Sequence, residues 1–235
     1  MAIDLRGVTT VVLPGTGSDD DYITRAFAVP LRDAGAQVLA PPPQPDHLLR
    51  GYLTALDNAA WRGPIAVGGV SIGAAVAAAW AYEHPDRAVA VLAALPAWTG
   101  APGDAPAAIA ARHSAQQLRQ DGLAATTNQM RASSPLWLAD ELTRSWQSQW
   151  PQLPDAMEEA ASYVAPTRAQ LKQLAVPMGI AAAVDDPIHP IEIGREWAAA
   201  APHAALRTVT LDQIGADPAA LGAACLAALV AAQPG

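Results

Sequence analysis

The sequence predicts an α/β domain: a mostly parallel sheet of about six strands with helices on both faces and one helical insertion. Three observations predict it. Short β-type runs alternate with longer Ala-rich segments of helical period along most of the chain. The β-type runs are continuously apolar, as in Ala88-Val89-Ala90-Val91-Leu92, which is how strands read when helices cover both sheet faces. The 235 residues, 51% hydrophobic and only 15% charged, hold enough apolar surface for one large core, which excludes a disordered chain.

Strands are expected at about 8–13, 37–40, 64–69, 88–94, 177–183 and 205–211. Helices are expected at about 20–34, 45–59, 72–84, 191–201 and 218–232. Pro42, Pro45, Pro187 and Pro190 fall just before helices, where a missing N–H leaves no bond unmade. From about 96 to 175 the alternation stops, and helical segments follow one another, punctuated by Pro102, Pro106, Pro135, Pro151, Pro154 and Pro166. The chain therefore divides into a core, 1–96 and 175–235, and a helical insertion, 97–174. Trp98, Trp137, Trp146 and Trp150 fall in the insertion. They either anchor it to the core or, for Trp98, Trp137 and Trp146, line an apolar pocket beneath it.

The acidic balance, 22 Asp and Glu against 14 Lys and Arg for a net charge of −8, argues against nucleic acid or an anionic membrane as partner. A small-molecule partner is expected, and the oligomeric state is open. Cys225 has no second cysteine to pair with, and the opening residues 1–12 lack the charged and apolar regions of a signal peptide. The apolar run 69–80 is too short and too glycine-interrupted to span a bilayer. These features point to a cytoplasmic protein. Lys172 as the only lysine, with heavy Ala and Arg usage, points to a GC-rich bacterial genome.

The sharpest local signal is Gly69-Val70-Ser71-Ile72-Gly73 between the β-run Pro64-Ile65-Ala66-Val67-Gly68 and the helical run Ala74-Ala75-Val76-Ala77. This is G-x-S-x-G in a strand–turn–helix context, a nucleophile elbow. Glycines two residues either side of the serine remove the Cβ atoms that would clash in so sharp a turn. The N–H of Ile72 and the helix N-terminus then face the oxygen of an attacked carbonyl.

With these residues the chain resembles the α/β-hydrolase family over essentially its whole length. Three further features carry the resemblance. Leu13-Pro14-Gly15-Thr16-Gly17-Ser18 stands where the family has its oxyanion loop, which implies the N–H of Thr16 as second oxyanion donor beside Ile72. The helical insertion falls where the family places its lid. Asp185-Asp186-Pro187-Ile188-His189-Pro190 matches the family's acid loop, with Asp186 at the acid position. Only about seven residues precede the first strand, so the sheet is expected to lack the family's opening edge strands.

A serine hydroxyl needs a base within hydrogen-bond reach. The family supplies a histidine after the last strand, but here that stretch is Asp212-Gln213-Ile214-Gly215-Ala216-Asp217-Pro218, with Ala216 at the expected base position. Three explanations compete. Another histidine serves, His189 being the candidate, with His113 of the insertion behind it. Or Ala216 marks a base lost by mutation. Or the protein does not hydrolyse. His189 also reads as a loop residue capping the helix that begins near Pro190, and its closeness in sequence to Asp186 favours that reading over the base. Asp19, Asp20 and Asp21 read as a solvated, dipole-favoured helix start rather than a metal site, since three consecutive carboxylates cannot all face one ion. No metal and no organic cofactor are expected.

The resemblance thus implies a serine-dependent hydrolase of a small, largely apolar ester acting through an acyl-enzyme, disabled if the base is absent. The alternatives are a non-hydrolytic binding protein on the same fold, or a lyase or cyclase using the same pocket.

Overall fold

The computed structural model describes residues 4–232; the first three residues of the opening segment, and the last three of the chain, lie outside the described residues. Strands β1 (Thr9–Leu13), β2 (Gln37–Leu39), β3 (Ile65–Val70), β4 (Ala88–Ala94), β5 (Met178–Ala183) and β6 (Ala204–Val209) form one sheet in the order β2-β1-β3-β4-β5-β6. Every pairing is parallel. Helices α1 (Asp20–Asp33), α2 (Leu48–Ala60), α3 (Ile72–Glu83), α8 (Ile191–Ala200) and α10 (Ala219–Ala231) cover its faces. This is the sheet the sequence predicts.

Strand period decides which side chain enters which layer. Along β3, which is buried throughout, Ile65 and Val67 join Leu56, Tyr52 and Trp80 under α2 and α3, while Ala66 and Val70 join Ile23, Phe27 and Leu221 under α1 and α10. Burial on both sides explains why the central strands carry no polar alternation. The edge strands β2 and β6 are the half-exposed ones.

The chain moves outward from β1 to β2 and then back across β1 to β3. The carboxyl ends of β1 and β3 therefore flank the crevice where strand order reverses, the place an open α/β sheet offers to a ligand. Above this crevice lie α4 (Pro106–Ser133), α5 (Leu136–Gln149) and α6 (Leu153–Ala161), followed by the short α7 (Arg168–Leu171), all between β4 and β5. Helix α4 bends at Gly122, whose backbone leaves the helical region. The insertion has its own small apolar centre around Leu118, Trp146, Leu153 and Met157.

One segment departs from expectation. The last strand stops at Val209 rather than about 211, and α9 (Leu211–Ala216) follows where a loop was expected. A capping box is the cause: the Thr210 side chain accepts from the Gln213 N–H while the Gln213 side chain accepts from the Thr210 N–H.

Candidate active site

The elbow holds Ser71 at φ 55° and ψ −114°, a conformation that a non-glycine residue keeps only where its surroundings enforce it. Here the enforcement is close packing. A Cβ on Gly69 would lie 2.4 Å from the carbonyl carbon of Gly73, and one on Gly73 would lie 2.4 Å from the Leu13 oxygen. Ser71 thus stands at the start of α3, 8% exposed, at the carboxyl end of β3.

Its hydroxyl has a partner. His189 Nε2 lies 3.0 Å from Ser71 Oγ, and His189 Nδ1 lies 2.8 Å from Asp186 Oδ2. Hydroxyl, imidazole and carboxylate stand in one hydrogen-bonded line. The capping reading of His189 is overturned: Pro190 occupies the N-cap of α8, and both ring nitrogens of His189 are engaged elsewhere. Sequence closeness to Asp186 proves no obstacle, for a local reason. Asp186 Oδ1 accepts the N–H groups of Ile188 (2.8 Å) and His189 (3.2 Å), an Asx-type turn that folds the chain back over the carboxylate. Oδ2 is left for the ring, so acid and imidazole fit on one four-residue loop.

The side chain of Asp186 is 7% exposed and that of His189 is 16% exposed. Burial pushes the Asp186 carboxyl up. The hydrogen bond and charge of His189, with the two main-chain donors, outweigh it and hold the group below its ordinary value of 3.8. The carboxylate stays ionised and fixes Nδ1 as the protonated ring nitrogen, which leaves Nε2 free to accept from Ser71.

Gly15 to Ser18 form a turn closed by Ser18 N–H donating to the Gly15 oxygen at 3.0 Å, with Gly17 at φ 70°. Thr16 sits in this turn beside Ser71 on the wall of one cavity. Among the described residues, the N–H groups of Thr16 and Ile72 have no acceptor within the chain. Tyr52 Oη donates to the Pro14 oxygen at 3.1 Å and supports the turn from the core. Complete burial raises the Tyr52 pKa far above its ordinary value and keeps it a donor.

The cavity above Ser71 has a volume of about 600 Å³. Trp98, Trp137 and Trp146 all line it, with Val70, Leu95 and Met157, whereas Trp150 does not. Trp98 also packs in the core cluster with Trp80 and Trp197, and within the insertion its Nε1 donates to the Tyr163 oxygen at 3.2 Å. His113 lines the exposed outer part. Ala216 is exposed at the end of α9 and is not among the lining residues; Leu211 and the buried Ile214 are what α9 turns inward. Two of the aspartates at the start of α1 share an arginine. Asp19 caps α1 and meets Arg144, while Asp21 pairs with Arg25 and with the same Arg144.

Sequence reasoning missed α9, Tyr52 and the polar residues of α5 that reach the Gly15–Ser18 turn. Thr210-Leu211-Asp212-Gln213 is a readable capping-box signature and could have revealed α9. The others carry no local signal, because their roles depend on neighbours distant in sequence.

Known structures share the architecture of this chain. MenH from S. aureus superposes with a TM-score of 0.73 over 97% of this chain and 96% of its own, at 15% identity. The chain has the α/β-hydrolase fold. A hydrolase from Oleispira antarctica shares this fold with a TM-score of 0.71 over 96% and 93% of the two chains, at 15% identity. The enol-lactonase from Burkholderia xenovorans does so at 0.65 over 88% and 84%, at 18% identity. No protein-family model and no functionally curated sequence matches. In this fold Ser71 stands at the turn between β3 and α3, and Asp186 and His189 on the loop after β5. Among the described residues no helix is long and apolar enough to cross a membrane.

Proposed function

We propose that this chain is a serine hydrolase that cleaves small, largely apolar, uncharged esters through an acyl-enzyme. The observation that carries this reading is the imidazole of His189, within hydrogen-bond reach of both Ser71 Oγ and Asp186. In the proposed reaction His189 Nε2 takes the Ser71 proton as Oγ attacks the ester carbonyl. The carbonyl electron pair moves to oxygen, which the N–H groups of Thr16 and Ile72 hold as an oxyanion. Collapse expels the alcohol, protonated by His189, and leaves the acyl group on Ser71. A water deprotonated by His189 then attacks, releasing the acid and restoring the hydroxyl. Asp186 orients the ring and stabilises its charged form throughout.

The substrate class follows from the wall. Trp98, Trp146, Leu95, Val70 and Met157 supply apolar surface for the acyl part. Among the described residues no lysine or arginine lines the cavity, and Asp19, Glu141 and Asp186 do. An anionic acyl group would lose water without gaining a counter-ion, so uncharged esters are favoured. With an imidazole at Ser71, the reason for a disabled enzyme falls away, and so does the need for a base at position 216.

Turnover of p-nitrophenyl butyrate by the wild type and by Ser71→Ala, with fluorophosphonate labelling of Ser71, tests the proposal. The expected outcome is turnover and labelling in the wild type and neither in the variant. Turnover unchanged in Ser71→Ala overturns the proposal. Labelling of the wild type without ester turnover transfers the site to binding or to non-hydrolytic chemistry.

A further inference from the structure

The turn that carries Thr16 is held from the core by one bond, from Tyr52 to the Pro14 oxygen. Its other side faces the insertion, and α5 meets it there with polar groups where apolar cover would suffice to exclude water. Glu141, Ser145 and Gln149 recur every fourth residue and so share one face of α5. Gln149 is 4% exposed, and its Nε2 donates to the Ser18 oxygen at 3.0 Å and to Ser145 Oγ at 2.8 Å. A buried amide that donates to a main-chain carbonyl recognises where the backbone runs, whatever its side chains. Next along the turn, Arg144 Nη2 lies 3.2 Å from Asp19 Oδ2, the same carboxylate whose Oδ1 caps α1 through Tyr22 N–H at 2.9 Å. Glu141 and Arg25 close the row at 2.5 Å. Between these polar ties the Trp146 indole lies on Gly17. A Cβ at Gly17 would come within 2.7 Å of Trp146 Nε1, and the backbone there has φ 70°. Gly17 and Ser18 of the turn, and Asp19 that follows it as the cap of α1, are thus each contacted by a different side chain of α5.

We propose that α5 is a brace for the oxyanion turn, with Gln149 and Arg144 as positioning residues that set where the Thr16 N–H points; this rests on the hydrolase reading above. The insertion then does more than cover the pocket. Side chains of α5 join the proposed transition-state site to the insertion. The effect belongs to kcat, because an oxyanion donor acts on charge that develops only in the transition state.

The test uses the full-length chain and its Gln149→Met and Arg144→Gln variants, with Arg119→Gln, an ion-pair residue of α4 away from the turn, as control. Two readouts are taken: kcat and KM for p-nitrophenyl butyrate, and hydrogen exchange of peptides spanning 14–22. In Gln149→Met the expected result is kcat lower by about 10- to 100-fold with KM within about threefold, less than the full loss of an oxyanion donor. Exchange in 14–22 becomes faster. Arg144→Gln moves both in the same direction by less, and carries the test if Gln149→Met does not fold. The control keeps wild-type kcat. Unchanged exchange in 14–22 in both variants overturns the brace. Faster exchange with unchanged kcat, or a loss carried by KM alone, overturns the positioning role. A wild type that turns over no ester overturns the hydrolase reading instead, and the exchange result then decides the brace by itself.

Discussion

Two connections leave the sheet side by side, 184–190 after β5 and 210–218 after β6, and they are built on opposite plans. The first is organised by a carboxylate: Asp186 Oδ1 gathers two main-chain N–H groups and Oδ2 meets His189, so the loop presents polar groups to the cavity. The second is organised by a helix. Its capping box starts α9, Ile214 is fully buried, and the Trp137 indole lies so close to Gly215 that a Cβ there would meet it at 2.3 Å. It presents apolar wall. One bond ties them, Leu211 N–H to Asp185 Oδ1 at 2.9 Å. The resemblance to the α/β-hydrolase family implied acid on one loop and base on the other. The difference teaches that placement is geometric: an Asx-type turn sets an imidazole between a carboxylate and the elbow serine within four residues, with no contribution from the second loop.

The sharpest way to break this comparison is to move the base. His189→Ala is expected to lower kcat for p-nitrophenyl butyrate by about 10⁴-fold or more. Adding Ala216→His to it restores nothing, because position 216 points away from the cavity. Recovery of activity in the double variant would return the base to the second loop. Asp186→Asn keeps the shape of the first loop but presents the ring with the wrong partner, and a fall in kcat of about 10⁴-fold is expected. A fall shared equally with KM would make Asp186 a structural residue only.

A gentler probe cuts the tie between the loops. Asp185→Ala removes the acceptor for Leu211 N–H and is expected to cost about 1 kcal/mol in a denaturant titration, whereas Asp185→Asn, which retains an acceptor, costs less. Equal loss in both would assign the effect to charge. The smallest effect is pH dependence. Asp186 has a folded pKa below its ordinary value, so above that ordinary value its ionised form contributes stability in full. That contribution fades as pH falls through the depressed folded value, where the folded chain must take up the proton. Melting temperature against pH should therefore drop less steeply on the acid side in Asp186→Asn than in the wild type. Parallel curves would remove the carboxylate's share in holding the first loop.

The elbow was legible from its own residues. Gly69 and Gly73 are needed because of contacts a few residues away along the same strand–turn–helix unit and with the β1 end beside it, so local spacing carried the meaning. The strands were legible because burial on both faces writes an uninterrupted apolar run. His189 was legible as a residue but not in its role, since its two neighbours in the line come one from its own loop and one from 118 positions away. Gln149 and Tyr52 could not be read at all: each is an ordinary member of an amphipathic helix until the turn it holds is placed beside it.

By itself the sequence determined the layered parallel sheet, the elbow and the position of the helical insertion, because those follow from short-range periodicity and from glycines at fixed spacing. The tertiary structure decided which histidine meets Ser71, what fills the place after β6, and which helix meets the Gly15–Ser18 turn. These depend on where the carboxyl ends of β1, β3 and β5 converge. Hydrogen bonds of about 3 Å select partners by that convergence, whatever their separation along the chain.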